Sequence, residues 1–281
     1  MKRYYVMTLF PEMIESAASA SIIGRAAEDG LLRIRPVNIR DFTKDRHRHV
    51  DDAPYGGGAG MLMQVQPIYD CFRHITEEIG HTPRVLYMSP QGRVFDQRLA
   101  EELSREEELI FLCGHYEGVD ERALELLGCE SLSIGDYVLT GGELPALVMI
   151  DAISRLVKGV LHKEESHEIE SFSDGLLEYP QYSRPEKFME CCVPPVLLSG
   201  DHKKVDEWRH AQSLQRTKER RPELYEKYRE THPEEFLPKK PRRRRGMQDG
   251  SAAVSTGCFT LTETAPDSST PRSEEQDCET Q

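Results

Sequence analysis

Cys113-Gly114-His115-Tyr116-Glu117-Gly118-Val119-Asp120-Glu121-Arg122 is one of two stretches in this chain whose residues suit ligand chemistry. The other is Ser133-Ile134-Gly135-Asp136-Tyr137-Val138-Leu139-Thr140-Gly141-Gly142-Glu143-Leu144-Pro145-Ala146. Each leaves an apolar run, turns on glycines and passes into a segment with helical spacing. Loops with so little side-chain bulk let a ligand reach peptide N–H and C=O groups directly. A flat, polar heterocycle such as adenine is gripped in this way. One such loop alone reads best as an ordinary turn. Two of them, interleaved with Glu117, Asp120, Asp136 and Tyr137, read as a binding site.

Other residues offer chemistry with less specificity. Gly56-Gly57-Gly58-Ala59-Gly60 invites comparison with a phosphate cradle, but Met61-Leu62-Met63 follows where Gly-Lys-Ser/Thr would be needed. A loop that closes over a substrate fits this segment, and so does a plain loop. Arg155, on the helix after the second glycine-rich stretch, carries a permanent positive charge, and Glu170 and Asp174 are carboxylates in a polar segment further on. Taken singly, each of these three reads as an ordinary surface charge. The ten histidines include no His-Glu-x-x-His and the seven cysteines no Cys-x-x-Cys, so no metal site is expected.

The elements that must position these residues alternate. Tyr4–Phe10 and Leu31–Ile39 read as strands, Glu12–Asp29 between them as largely helical. Arg84–Ser89 and Leu109–Cys113 are short apolar runs that suit buried parallel strands, and Phe95–Leu103, Asp120–Leu127 and Glu143–Val157 have helical spacing. This predicts an α/β domain. Ligands of an open parallel sheet collect at the carboxyl ends of its strands. The loops after Met88 (Ser89-Pro90-Gln91-Gly92), after Cys113 and around Gly135 are therefore expected to face one pocket.

At 281 residues the chain has mass for about two domains. No apolar run is long enough to span a membrane. Lys2-Arg3 precede an apolar run that Pro11 and Glu12 cut short, which fits a buried first strand better than a signal peptide. An odd cysteine count, with Cys191 and Cys192 adjacent, suits reduced thiols and a cytoplasmic location. The net charge of −13 argues against unspecific nucleic-acid binding. Basic clusters at Arg33–His49 and Arg216–Arg229 nevertheless offer local places for a polyanion. From His162 to Asp174 the sequence is polar and without period, as in a linker or lid. Asp201–Thr217 and Pro222–Glu230 then look helical, with Asp201 and Pro222 as start signals. Beyond Pro238 a basic run leads into a Ser/Thr/Glu-rich tail expected to be disordered.

Across residues 1–238 the chain closely resembles the bacterial tRNA (guanine-N1)-methyltransferases of the SPOUT superfamily. Leu9-Phe10-Pro11-Glu12-Met13, Arg40-Asp41-Phe42-Thr43, Asp45-Arg46-His47-Arg48 and Tyr55-Gly56-Gly57-Gly58 carry the resemblance. So do Ser89–Gly92, Gly114–Arg122, Ser133–Ala146, Pro194-Pro195-Val196-Leu197-Leu198-Ser199-Gly200 and Arg220-Arg221-Pro222-Glu223-Leu224. The resemblance implies a parallel-sheet domain with a deep trefoil knot at residues 1–161, a lid or linker at 162–175 and a small helical tRNA-binding domain at 176–238. A disordered tail at 239–281 lies outside it. It also implies S-adenosyl-L-methionine as methyl donor, held at Gly114 and at Ile134, Gly135, Asp136, Tyr137, Val138 and Leu139, with Tyr87, Gln91, Gly141 and Gly142 close by. The partners implied are tRNA and a second copy of the chain, with the guanine site between protomers. A dependence on Mg2+ is not legible.

The reaction implied is methylation at N1 of the guanine 3′ to the anticodon. Neutral guanine carries a proton on N1, so a base must remove it while charge grows on O6. A guanidinium suits that charge. The family places its arginine where Arg155 stands, and its base is usually an aspartate directly before a Ser-Phe pair. Here Glu170 precedes Ser171-Phe172, one methylene longer, with Asp174 as the competing candidate. Two other function classes remain to be separated from this one: a catalytically silent tRNA-binding protein on the same scaffold, and a nucleotide-phosphate enzyme using Gly56–Gly60.

Overall fold

The computed structural model describes residues 1–161, 171–172 and 174–237. Glu170, most of the expected 162–175 lid and the expected 239–281 tail lie outside the described residues.

Five parallel strands form the centre. They are β1 (Lys2–Thr8), β2 (Leu32–Asn38), β5 (Arg84–Val94), β6 (Glu108–Leu112) and β7 (Glu130–Ser133), in the order β2-β1-β6-β5-β7. Alternation along the strands sends side chains to opposite faces. Tyr4, Val6, Leu109 and Phe111 enter one core cluster, while Tyr5, Met7, Ile110 and Leu112 enter another. A sheet buried on both sides must be covered by helices on both. Helices α1 (Pro11–Ala18), α2 (Ser21–Glu28), α4 (Gln97–Ser104) and α6 (Glu143–Ser154) supply Ile14, Ile23, Leu99 and Ile150 to the first cluster. Helices α3 (Val65–Ile79) and α5 (Glu121–Leu127) supply Ile68, Phe72 and Ala123 to the second. Two short strands, β3 (Asp51–Asp52) and β4 (Leu62–Met63), pair antiparallel ahead of α3.

The expected α/β class with a parallel sheet is what is found. Three details differ. The helical stretch expected at Glu12–Asp29 is two helices, because Ala20 is extended (φ −106, ψ 155) between them. Helix α3 was not anticipated. The strand expected to end at Ser89 runs on to Val94. Its register shifts between Met88 and Arg93, both of which pair with Leu132. Ser89-Pro90-Gln91-Gly92 is therefore a bulge thrown out of a continuing strand, which is a way sheets aim residues at a ligand.

Beyond the sheet, β8 (Lys187–Phe188) and β9 (Cys191–Cys192) form a small hairpin. A 3-10 turn at Pro195–Leu198 leads to α7 (His202–Arg220) and α8 (Pro222–Thr231). Asp201 caps α7 by accepting from Lys204 N–H at 3.3 Å, and Pro222 opens α8, as their sequence signals predict. The five cysteines among the described residues are free. Among the described residues, no helix is long and apolar enough to cross a membrane.

Candidate functional site

The bulge after Met88, the loop after Cys113 and the loop around Gly135 line one cavity of about 250 Å3, at the bulge within β5 and the carboxyl ends of β6 and β7. That is the meeting the strand order demands, since β7, β5 and β6 are neighbours. Tyr87, Gln91, Gly114, Ile134, Gly135, Tyr137, Val138, Leu139, Gly141 and Gly142 all line it. Asp136 does not; its side chain is exposed to solvent.

Backbone approach explains why the loops are glycine-rich. Gly142 N–H donates to Gly114 C=O at 3.0 Å, tying the second loop to the first. A Cβ on Gly142 would stand 2.6 Å from Cys113 Cα and 2.9 Å from the Gly114 nitrogen. Only glycine permits that contact. Gly135 has φ +146, a backbone conformation side chains avoid, which turns the chain between Ser133 and Tyr137. Ser133 Oγ locks the turn by accepting from Gly135 N–H at 3.1 Å and donating to Gly135 C=O at 3.0 Å.

A buried polar link braces the same loops from behind. Glu143, 1% exposed at the first turn of α6, accepts from Thr8 Oγ1 at 2.5 Å and lies 2.7 Å from His115 Nε2. Both carboxylate oxygens are thus matched, as a buried charge requires. The contact joins the end of β1, the loop after β6 and the start of α6. His115 also packs on Phe10, with ring centroids 4.8 Å apart. Glu117, singled out with the loops, lines the cavity; His115, Pro90, Tyr116, Thr140 and Pro145 line it too and are not singled out by the sequence. Their signal was present, because all but Pro90 sit inside the two glycine-rich stretches and Pro90 sits in the loop after Met88.

Electrostatics limit what this cavity does by itself. Burial pushes the Cys113 thiol well above its usual range, so it stays protonated and is no nucleophile. Burial also raises the Tyr87 phenol, with smaller contributions from Cys129 and Glu121, which keeps it a neutral donor. No group of three His, Cys, Asp or Glu comes together as a metal site among the described residues. What the cavity offers is backbone amides, carbonyls and ring faces, which suit holding a heterocycle rather than attacking one.

Of the three proton- or charge-handling candidates, the two that are described, Arg155 and Asp174, do not line this cavity. Arg155 is half-buried at the C-terminal cap of α6, while Gly142 begins that helix. Twelve helical residues put the two ends about 18 Å apart. Asp174 is exposed and its carboxylate accepts from Leu176 N–H at 3.0 Å, a local turn. Leu176 and Leu177 that follow belong with the C-terminal helices: Leu177 N–H donates to Thr217 Oγ1 on α7 at 2.8 Å. Glu170 lies outside the described residues.

The glycine run is elsewhere. Gly56, Gly57, Gly58 and Gly60 all have positive φ, and the strand β4 follows them, not a helix. A P-loop phosphate cradle has a helix N-terminus directly behind its loop. The nucleotide-phosphate reading is therefore dropped.

The sequence model of the family described as tRNA (Guanine-1)-methyltransferase TrmD matches residues 1–227. Three relatives, each named tRNA (guanine-N(1)-)-methyltransferase, are similar along most of their length. That of Lachnospira eligens is 57% identical over 233 residues, covering 83% of this chain and 99% of the relative. That of Clostridioides difficile is 56% identical over 226 residues, covering 80% and 98%. That of Clostridium botulinum is 55% identical over 229 residues, covering 82% and 94%.

Proposed function

This chain belongs to the tRNA (guanine-1)-methyltransferase family, and from that premise we propose that it methylates N1 of the guanine 3′ to the anticodon. It is an enzyme of the tRNA (guanine-N1)-methyltransferase class, with S-adenosyl-L-methionine as the methyl donor its family implies. The observation that carries the assignment of parts is the backbone-lined cavity where the bulge within β5 meets the loops at the carboxyl ends of β6 and β7. We assign the donor to that cavity, at Tyr87, Gln91, Gly114, Ile134–Leu139, Gly141 and Gly142. The knotted path of the family is proposed for the same loops, and cytoplasm as the location.

S-adenosylmethionine supplies an electrophilic methyl group on a sulfonium. The chain's part is to hold it, to take the proton from guanine N1 and to stabilise the charge that develops on O6. We give the proton to the carboxylate of Glu170, with Asp174 as its competitor, and the O6 charge to Arg155. As N1 bonds to the methyl carbon, the carbon–sulfur bond breaks and its electron pair stays on sulfur, leaving a neutral thioether. An arginine about 18 Å along α6 from its own cavity suits a site completed by a second copy. The outer face of α6 supports this, because Leu144 and Val148, one turn apart, are each 50% exposed, and Val138 in the loop ahead of the helix is 84% exposed. A helix apolar on its solvent side calls for cover. We therefore propose a homodimer whose guanine site lies between protomers, with tRNA also gripped by residues 176–238.

Incubation of unmodified tRNA with methyl-labelled donor, followed by mapping of the modified base, tests the reading. Label at N1 of the guanine 3′ to the anticodon is expected. Label at another base, or none despite donor binding, overturns it.

Replacing Gly142 by alanine tests the assignment of the donor cavity. The added Cβ meets backbone at 2.6 Å and forces the two loops apart. Such overpacking costs about 1–3 kcal/mol, which, if it falls on the bound state, predicts a rise of about 5- to 150-fold in the Kd for S-adenosylmethionine. Calorimetric titration reads it, and wild-type affinity in that variant would count against the cavity.

A further inference from the structure

A second cavity, of about 700 Å3, lies among the segment 179–186, the 3-10 turn and α7, and shares no lining residue with the first. Its floor is apolar, with Leu197 and Val205. Around them stand ring faces and a guanidinium. The Arg209 guanidinium lies 5.0 Å from the centre of the Tyr179 ring, and Tyr182, also in the lining, is backed by Trp208, which is not, with ring centroids 6.4 Å apart. Arg209 reaches Asp206 only at 3.5 Å, and its Nε is buried with no hydrogen-bond partner among the described residues.

A guanidinium stacked on a ring is oriented before anything binds, with its donors directed in its plane. The side chain is 42% exposed, so its Nη donors, with Asp206 no nearer than 3.5 Å, are the ones an incoming acceptor oxygen can reach. Flat rings, an apolar floor and one directed donor are the combination that holds an unpaired base: rings stack on either face, and the donor meets a ring carbonyl. Helix α7 continues from here through Arg216, Lys218 and Arg220, a basic run suited to the flanking phosphates.

We propose that this cavity receives an unpaired base of the RNA substrate, a different base from the one methylated, stacked against Tyr182 and hydrogen-bonded by Arg209. The proposal rests on tRNA being the substrate. It makes the C-terminal segment a reader of one loop position, beyond any general attraction for phosphate.

The test uses the full chain and a set of anticodon stem-loop RNAs, each lacking one loop base. Arg209→Met keeps side-chain length and the stack on Tyr179 but removes the donor. It should raise the Kd for the intact RNA about tenfold, within the range of a lost base contact, and leave the Kd for S-adenosylmethionine unchanged. One abasic position other than the methylated guanine should weaken wild type by a similar factor and weaken Arg209→Met little further, because both changes remove one contact. Tyr182→Ala, a change at a half-exposed residue, should repeat the pattern. Cys191 and Cys192 give a readout without substitution. Both are exposed and line a neighbouring cleft that also contains Tyr182 and Arg184. Saturating RNA should slow their alkylation. Variants that bind every RNA as wild type does, abasic losses that add in full to those of Arg209→Met, or alkylation indifferent to RNA would each overturn the proposal. If wild type methylates tRNA while these results fail, only the second cavity's role falls. If wild type methylates no tRNA, the functional reading falls and takes this one with it.

Discussion

Arg155→Ala is expected to slow single-turnover methyl transfer by about 10²–10³-fold, the cost of removing one donor aimed at a developing oxyanion. The Kd for S-adenosylmethionine should stay within about twofold of wild type, since a group that acts on the transition state leaves ground-state binding nearly untouched. Arg155→Lys keeps the charge but not the planar fork, so it should fall between the two. Position makes the prediction sharper. Arg155 closes α6 at the end opposite Gly142 and is absent from the lining of the first cavity. If it serves the cavity of a second protomer, an Arg155→Ala chain and a Gly142→Ala chain should complement each other. In a mixed dimer, the intact cavity of the first meets the intact arginine of the second, and one of two sites works. Inactivity of the mixed dimer would place the arginine's action within its own chain. A thermal melt controls for stability, because the adjacent Ser154 is buried and bonds Tyr4 Oη at 2.9 Å.

The parts of this molecule that were legible in its sequence are those decided locally. The runs Tyr4–Val6 and Leu109–Leu112 lie in strands buried on both faces, and uninterrupted apolar sequence says so. The glycine-rich loops announced themselves because backbone contact leaves no room for side chains, as at Gly142. Helix α3 was legible but unread: Ile68, Cys71, Phe72 and Ile75 follow the helical period, yet Gln64–Pro67 ahead of them looks like more loop. Strand β7 has four residues and begins on a charge, too short for any period to show. The bulge at Ser89–Gly92 was hidden for a different reason. Whether a strand stops or resumes depends on a neighbour, here Leu132, that pairs on both sides of the interruption. The same holds for Thr8, His115 and Glu143, which come from three elements and meet only when the sheet is assembled. No spacing rule reports such a contact.

Glu170→Gln is expected to have the largest effect of any single change, about 10²–10⁴-fold on the single-turnover rate, if that carboxylate takes the N1 proton. The amide keeps size and a hydrogen bond but cannot accept the proton, so affinity for tRNA should change little. Glu170→Asp shortens the side chain by one methylene, restores the residue the family usually carries before the Ser-Phe pair, and should keep much of the rate. The rival carboxylate has a different occupation in the structure. Asp174 accepts Leu176 N–H at 3.0 Å, and within the same turn Phe172 N–H donates to Leu176 C=O at 2.8 Å. That turn sets the chain on its course toward α7, where Leu177 N–H meets Thr217. Asparagine accepts the same bond through its carbonyl oxygen, so Asp174→Asn should stay near wild type, whereas Asp174→Ala should weaken the turn. The pH–rate profile separates chemistry from folding. A base works only when ionised, so the wild-type rate should climb about tenfold per pH unit below its pKa and level off above it. The Gln variant should lose that rising limb at every pH, and Asp174→Asn should keep it. An inactive Asp174→Asn beside an active Glu170→Gln would move the base four residues along the chain, and the glutamate before Ser171-Phe172 would then mark a displaced catalytic carboxylate.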